Sequence, residues 1–179
     1  MKQFHFLIIA TLLICPWFVK PLGAEVKDSA ADGFQISLQV ETSASNEQAF
    51  AALTKDFSSW WDASHSYSQK ASNLSMDLTR NCMLEKLPQG GFVRHMEIVF
   101  YQPNQQLRLS GGLGPLQEMG VSGCLTFKFV ETENGTKIQL SYSVTGRASQ
   151  KLDKIAAPVD GVLKGQLERL KNHCDKLKK

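Results

Sequence analysis

The chain has 179 residues, of which 42% are hydrophobic and 21% are charged, a composition typical of an ordinary globular protein. Its formal net charge is only +3, and several lysines fall in the C-terminal tail, where they complement a helix dipole. So weak a charge excludes a protein that is steered to nucleic acid or to an anionic membrane by its overall field. At this length we expect one folded domain, and the sequence has no internal repeat or low-complexity tract.

The first 24 residues have the pattern of a signal peptide. Lys2 supplies a short basic region, and residues 4–14 are almost wholly apolar. The small residues that end at Ala24 favour cleavage after it, although Leu22 stands where a small residue is preferred. We therefore predict a periplasmic or secreted protein. The alternative is an uncleaved anchor, for which this apolar run is short of the ~20 residues of a membrane span.

The residues after the predicted cleavage site favour an antiparallel sheet. Residues 25–33 form a polar leader that we expect to be mobile. Residues 34–40 then alternate between apolar and polar, as a strand with one buried face does. Ser45 or Asn46 can cap a short helix over residues 46–53, and a second helical piece runs from Asp56 to Trp60 and Trp61. Further strands are predicted over residues 74–78, 82–87, 92–101, 107–111, 121–130 and 137–144.

Residues 149–177 form the longest predicted element, an amphipathic helix. Apolar side chains recur there at spacings of three and four, at Leu152, Ile155, Ala156, Val159, Val162, Leu163, Leu167, Leu170, Cys174 and Leu177. Pro158 is expected to kink the helix, and Gly161 and Gly165 to expose the backbone or allow a close approach. The predicted fold class is α+β: a curved antiparallel sheet of six to seven strands wrapped around the long C-terminal helix, with two short helices after the first strand.

Several motifs in this order resemble the START-like helix-grip superfamily, also known as SRPBCC or the polyketide cyclase/dehydrase clan. The resemblance is nearest to the bacterial branch related to the heat-shock-protein-90 ATPase activator domain. The matching stretches are Trp60-Trp61 with SHSYS at 64–68, GGLGPLQ at 111–117, YSVTG at 142–146, VDGVL at 159–163 and QLERL at 166–170. The resemblance covers about residues 33–177 and implies a deep cavity between the sheet and the C-terminal helix. The superfamily includes lipid carriers, plant-hormone binders and cyclases.

The two tryptophans and the polar loop that follows them are candidate parts of a ligand site. Trp60 and Trp61 could form the wall or mouth of an apolar cavity, or one of them could belong to the core. His65 and Tyr67 could gate the cavity or donate hydrogen bonds, or they could belong to an ordinary solvated loop. The sequence leaves these alternatives open.

Glu85, Arg94 and Tyr142 form the polar group that we expect on the inner face of the sheet. The alternation of its strand places Arg94 on the apolar face, together with Met96. A buried Arg94 would need a partner such as Glu85. Arg94 could then hold a ligand carboxylate or phosphate, or simply neutralise Glu85. By the same alternation, His95 and Glu97 are expected on the outer, solvated face.

The candidate ligand-binding residues are therefore Trp60, Trp61, His65, Tyr67, Glu85, Arg94, Met96, Leu113, Tyr142 and Val159. No catalytic constellation, P-loop or metal-ligand spacing appears, and no cofactor is expected. Cys82, Cys124 and Cys174 are expected to be small buried hydrophobes. We expect an exported, monomeric protein that binds a small hydrophobic or amphipathic molecule. The alternatives are a cyclase- or hydrolase-type enzyme that uses Glu85, Arg94 or Tyr142, and a protein-interaction module.

Overall fold

A computed structural model describes residues 25–177, so the predicted signal peptide lies outside the described part. Its centre is one antiparallel sheet of eight strands in the order β1-β2-β8-β7-β6-β5-β4-β3. The strands are β1 (Glu25–Ala30), β2 (Gly33–Thr42), β3 (Leu74–Asp77), β4 (Cys82–Lys86), β5 (Phe92–Gln102), β6 (Gln106–Ser110), β7 (Ser122–Thr132) and β8 (Gly135–Thr145). The helices are α1 (Asn46–Thr54), α2 (Phe57–Trp60) and α3 (Asp153–Lys176). The predicted α+β architecture is confirmed.

The main difference from the predicted sheet is strand β1. Residues 25–30, expected as part of a mobile leader, pair antiparallel with β2, with Val26 opposite Ile36 and Ala30 opposite Gly33. The segment EVKDSA has one large apolar residue and therefore no alternating pattern. An edge strand can form without such a pattern because its backbone groups pair with one neighbour only. The two short helices consequently follow the second strand of the sheet.

Local sequence signals explain where α1 begins. The Ser45 hydroxyl accepts a hydrogen bond from the Gln48 backbone N–H at 3.2 Å, and the Gln48 side chain accepts one from the Ser45 N–H at 3.1 Å. This reciprocal capping box satisfies donors that would otherwise be left free at a helix start. Of the two predicted caps, Ser45 is therefore the one used.

The core lies between one face of the sheet and α3. Side chains at every second position of β2 and β8 point into it, among them Ile36, Leu38, Ile138, Leu140 and Val144. Helix α3 contributes the buried residues Ala156, Leu163, Leu167, Leu170 and Cys174. Each large apolar side chain removed from water stabilises the fold by roughly 1.5–3 kcal/mol. The apolar stripe predicted on the helix is thus the surface that holds it to the sheet.

Pro158 and the two helix glycines lie away from the tightly packed part of α3. The helix runs without a break through Pro158. A Cβ added at Gly161 or Gly165 would meet no atom within 4 Å, so both positions face open space. Of the two alternatives for these glycines, an exposed backbone is therefore the one observed, and a close approach is not. Within residues 25–177, no helix has both the length and the apolar character needed to cross a bilayer.

The three cysteines of the described chain are unbridged, but their environments differ. Cys82 and Cys174 are buried as expected, and burial raises the pKa of the Cys174 thiol to about 12. Cys124 is exposed, so the prediction of a buried hydrophobe is wrong for this residue. It lies on β7, where Leu125 turns to the core and Cys124 to the opposite face.

Candidate ligand-binding cavity

A cavity of about 510 Å³ lies where the loop after α2, the segment between β6 and β7, and the first half of α3 meet. Two strand residues, Met83 and His95, also reach it. The remaining lining residues are Trp61, Ser64, His65, Ser66, Tyr67, Leu113, Gly114, Pro115, Leu116, Glu118, Met119, Ile155, Pro158, Val159, Val162 and Leu163. The lining is mainly apolar, and among residues 25–177 it includes one carboxylate, that of Glu118, and no lysine or arginine.

The predicted site residues separate into two groups. Five of them line the cavity: Trp61, His65, Tyr67, Leu113 and Val159. The other five, Trp60, Glu85, Arg94, Met96 and Tyr142, do not belong to its lining. The first group lies where the loop after α2, the glycine-rich segment of residues 111–114 and the long helix meet. The side chains of the second group lie in different environments.

The two tryptophans have different environments, as one of the open alternatives allowed. Trp60 is buried in the core, where its indole N–H donates to the carbonyl of Ala52 at 2.9 Å. Trp61 stacks on Phe57 with ring centroids 4.9 Å apart, and its N–H donates to the carbonyl of His65 at 3.3 Å. Helix α2 ends at Trp60 and Trp61 follows in an extended conformation, so the two side chains point in different directions and only Trp61 reaches the cavity.

A β-bulge in β5 reverses the predicted orientation of His95 and Arg94. On β4, Met83 pairs with Met96 and the next residue, Leu84, pairs with Arg94, so His95 is the extra residue on β5. Strict alternation ends at such a bulge. His95 and Met96 are therefore both buried, with 4% and 2% of their surfaces exposed. The expectation that His95 is solvated on the outer face is wrong.

Arg94 lies on the outer face, contrary to the prediction. Its guanidinium pairs with Glu97 at 3.0 Å and donates to the carbonyl of Arg80 at 3.0 Å. The side chain keeps 46% of its surface exposed. Arg94 therefore neither neutralises Glu85 nor reaches the cavity, and the predicted binding of an anion by its guanidinium is not supported.

The partner of Glu85 is His95. Met83 and Glu85 share a face of β4, and the fully buried Glu85 carboxylate has its Oε2 atom 2.8 Å from Nε2 of His95. The carboxylate also accepts backbone N–H hydrogen bonds from Tyr67 at 3.2 Å and Ser68 at 2.5 Å. Burial by itself would raise the pKa of Glu85, but the hydrogen bonds from Ser68, His95 and Tyr67 outweigh it and lower that pKa. The ionised carboxylate thus connects the loop after α2 to the sheet by hydrogen bonds.

Tyr67 covers the ring of His95 at the cavity wall. The two rings are stacked, with centroids 5.8 Å apart and an angle of 29° between their planes. The phenol hydroxyl lies 3.5 Å from the carbonyl oxygen of Gly114, on the other side of the cavity, and Tyr67 is 46% exposed. Burial raises the pKa of this phenol, as do the nearby Glu118 and Glu85. Of the alternatives for this loop, a part in the cavity wall is the one that the geometry supports.

Tyr142 holds the glycine-rich segment in place by two hydrogen bonds. Its fully buried hydroxyl accepts a hydrogen bond from the backbone N–H of Leu113 at 3.0 Å and donates one to the carbonyl of Gly111 at 3.3 Å. Burial raises the pKa of Tyr142 to about 12. Because Gly111 has φ +131° and Gly114 has φ +58°, the segment needs glycine for its backbone conformation. Both hydrogen bonds of Tyr142 are committed to this segment, so its function is structural.

His95 is a polar residue of the cavity wall that was not among the predicted site residues. Its Nδ1 atom is buried and has no hydrogen-bond partner among the described residues. A histidine within a strand rich in apolar residues could have indicated a buried position, but strict alternation along the strand predicted the outer face of the sheet. Glu118 and Pro158 also line the cavity, although no sequence pattern pointed to them.

Comparison with known proteins gives the fold and no closer relationship. No family model and no curated protein sequence matches this chain. Among solved structures, a protein of unknown function from Staphylococcus aureus superposes with a TM-score of 0.58 at 12% identity, covering 82% of this chain and 96% of that one. A protein from Rhizobium leguminosarum superposes with a TM-score of 0.57 at 16% identity, covering 81% and 96%.

A third similar structure is the di-domain ARO/CYC protein StfQ from the steffimycin biosynthetic pathway. It superposes with a TM-score of 0.56 at 11% identity, covering 83% of this chain and 52% of that one. At such low identity these likenesses are informative about architecture alone. They show that the chain shares the fold of these proteins, and this fold agrees with the helix-grip architecture that the sequence resemblance implies.

Proposed function

We propose that this protein binds a small hydrophobic or amphipathic molecule in the cavity under α3. The observation that carries the proposal is the cavity of about 510 Å³ with its mainly apolar lining. Small-molecule sites have volumes of roughly 300–1,000 Å³ and combine apolar walls with a few polar groups. Trp61, Leu113 and Val159 supply apolar wall here, while His65, Tyr67 and His95 supply polar edges.

The charges around the cavity favour a neutral ligand. Among the described residues, Glu118 is the one carboxylate in the lining, and the buried Glu85 carboxylate lies behind His95. Because no lysine or arginine of the described residues lines the cavity, an anionic ligand would leave its charge unpaired in an apolar site, which is costly. A cationic ligand could pair with Glu118 in a lining that is otherwise mainly apolar, so an uncharged ligand fits best.

A fluorescent probe tests this proposal. N-phenyl-1-naphthylamine is neutral and apolar, so we expect it to bind with a rise in fluorescence. The variant Val159→Trp would fill part of the cavity and is expected to weaken binding by about tenfold or more. Lys164→Trp is the matched control, because Lys164 is exposed on the same helix and does not line the cavity. Equal binding by both variants would contradict the proposed site.

Export is the second part of the proposal and rests on the first 24 residues alone. Expression of the full chain in a Gram-negative host, followed by cell fractionation and intact-mass measurement, tests it. We expect the periplasmic fraction to contain a protein that begins at Glu25. A full-length protein retained with the membrane would instead support the anchor alternative.

The buried Glu85–His95 pair favours a cyclase-type enzyme as a second candidate. Carboxylate–histidine pairs are common in acid–base catalysis because the carboxylate orients the imidazole. The residues available for proton transfer differ from those predicted, since Arg94 is solvent-facing and Tyr142 is bonded to the backbone. Turnover of a poly-β-ketone substrate that is lost in His95→Gln but kept in Arg94→Gln would support this candidate.

A further inference from the structure

We propose that Nδ1 of His95 is the acceptor for a ligand hydroxyl group. The ligand would then be a neutral molecule with an apolar body and a phenolic or alcoholic O–H that donates to the imidazole. This inference rests on the proposed function and adds the chemistry of one polar contact with the ligand.

The hydrogen bond with Glu85 determines which nitrogen of His95 is free. The Glu85 carboxylate can only accept, so Nε2 of His95, 2.8 Å from its Oε2 atom, must carry the proton. In the neutral ring the other nitrogen, Nδ1, then has an open lone pair.

The lone pair of Nδ1 has no hydrogen-bond donor in the described structure. His95 is 4% exposed and lines the cavity, and its Nδ1 atom has no partner among residues 25–177. Buried polar atoms without partners are uncommon and cost stability. A ligand hydroxyl would satisfy Nδ1, whereas an entirely apolar ligand would leave it unpaired. The half-exposed Tyr67 ring, which lies across His95, is the group that would turn aside to admit the hydroxyl.

The other titratable groups around His95 favour a ligand whose donor group carries no negative charge. Glu85 faces it from β4, Tyr67 and His65 lie on the loop after α2, and Glu118 lies on the segment between β6 and β7. The two glutamates would repel a carboxylate or a phosphate. A hydroxyl delivers a proton to Nδ1 without bringing a negative charge.

Three naphthalene compounds of similar size separate these possibilities. 2-Naphthol can donate a hydrogen bond, 2-methoxynaphthalene cannot, and 2-naphthoate is an anion. We expect the wild-type protein at pH 8 to bind 2-naphthol about tenfold more tightly than its methyl ether, the factor that one hydrogen bond typically contributes. Binding of 2-naphthoate should be weaker than that of either neutral compound.

The matched variants are His95→Gln and His173→Gln. A glutamine amide at position 95 can still donate to Glu85, so the buried carboxylate keeps a partner while the basic Nδ1 atom is removed. We expect the preference for naphthol over its methyl ether to fall below about twofold in His95→Gln and to persist in His173→Gln. His173 lies near the end of α3 and does not belong to the lining of the cavity, so it is a control for the loss of a histidine elsewhere in the protein.

A spectroscopic measurement on the wild-type protein covers the case in which His95→Gln does not fold. With ¹⁵N-labelled histidine, NMR should show a protonated Nε2 and an unprotonated Nδ1 for His95. The Nδ1 resonance should shift when 2-naphthol is added and stay in place with the methyl ether. A protonated Nδ1 in the neutral ring would overturn the inference.

The outcomes distinguish this inference from the proposed function. If the protein binds 2-naphthol and its methyl ether equally, the inference is overturned while the apolar cavity stands as a site. The same follows if it binds N-phenyl-1-naphthylamine but neither neutral naphthalene. If it binds none of these neutral probes, both proposals are overturned. A preference for naphthol that survives in a folded His95→Gln would place the acceptor elsewhere and overturn the inference alone.

Discussion

The Nε2 atom of His95 lies 2.8 Å from the Oε2 atom of Glu85, and both side chains are buried beside the cavity. The pair connects three parts of the fold. Glu85 belongs to β4 and His95 to the bulge of β5, while the same carboxylate accepts backbone hydrogen bonds from Tyr67 and Ser68 in the loop after α2. One carboxylate therefore accepts hydrogen bonds from both the loop and the sheet at the cavity wall.

Replacing that carboxylate should destabilise the fold. In Glu85→Gln the neutral amide cannot accept from both backbone N–H groups and from His95 at once, so we expect a loss of about 2 kcal/mol in the free energy of unfolding at pH 7. Urea denaturation measures it. Glu97→Gln is the matched control, because Glu97 is a carboxylate on β5 that is 59% exposed. Equal losses in the two variants would show that Glu85 has no special importance.

The same residue should make stability depend on pH. The hydrogen bonds hold the pKa of Glu85 below its ordinary value of 4.5, so the folded state binds the proton less readily than the unfolded state. Its stabilising contribution is therefore complete above pH 4.5 and is lost as the pH falls through the lower folded pKa. Denaturation curves for wild type and Glu85→Gln should approach each other as the pH decreases across that range. A constant difference would be inconsistent with an ionised Glu85.

Asp175 should add a second acid-sensitive contact between the end of α3 and the segment after β2. Burial alone would raise the pKa of Asp175, but hydrogen bonds from Lys171, Thr42 and Ser43 lower it to about 2. We expect Asp175→Asn to be less stable than wild type at neutral pH, with the difference shrinking as the pH falls from 3.8 towards about 2. Thermal melts at several pH values measure it. Asp28→Asn, at an exposed carboxylate in β1, should leave the melting temperature nearly unchanged.

Removing the Tyr142 hydroxyl should loosen the glycine-rich segment. Tyr142→Phe leaves the N–H of Leu113 and the carbonyl of Gly111 without their partner, which we expect to cost about 1–3 kcal/mol. The backbone amide of Leu113 should also exchange with solvent faster, as hydrogen-exchange NMR would show. Tyr101→Phe is the control, because Tyr101 is 44% exposed. If both variants have the stability of wild type, the support attributed to Tyr142 is wrong.

Glycine substitutions should have opposite effects in α3 and in the sheet. Gly161→Ala and Gly165→Ala place a methyl group in open space within a helix, so each should stabilise the protein by about 0.5–1 kcal/mol. Gly123→Ala would instead bring a Cβ against the carbonyl oxygen of Gly111 and the hydroxyl of Tyr142, which should destabilise the fold. Melting temperatures of the three variants test this contrast. Destabilisation by the helix substitutions would mean that those glycines serve some other purpose.

Local periodicity was sufficient to predict most of the architecture. Strands β2 and β8 and helix α3 each bury one face. The matching sequence patterns, alternation in the strands and spacings of three and four in the helix, therefore predicted these elements within a few residues of their observed bounds. Strand β1 was missed because its six residues have no alternating pattern and its pairing depends on a neighbour, β2. The loop, the glycine-rich segment and the helix that meet at the cavity were also anticipated, through Tyr67, Leu113 and Val159.

The chemistry at the cavity wall was decided by tertiary structure. Sequence alone determined that a strand-rich chain would close on one long amphipathic helix, because hydrophobic period is a local property. It could not determine which polar residues would meet there. One extra residue in β5 moves His95 inward and leaves Arg94 in solvent, and a bulge becomes visible only when β5 is paired with β4. The partnership of Glu85 with His95 therefore follows from register between strands, a long-range relationship that no single stretch of the sequence contains.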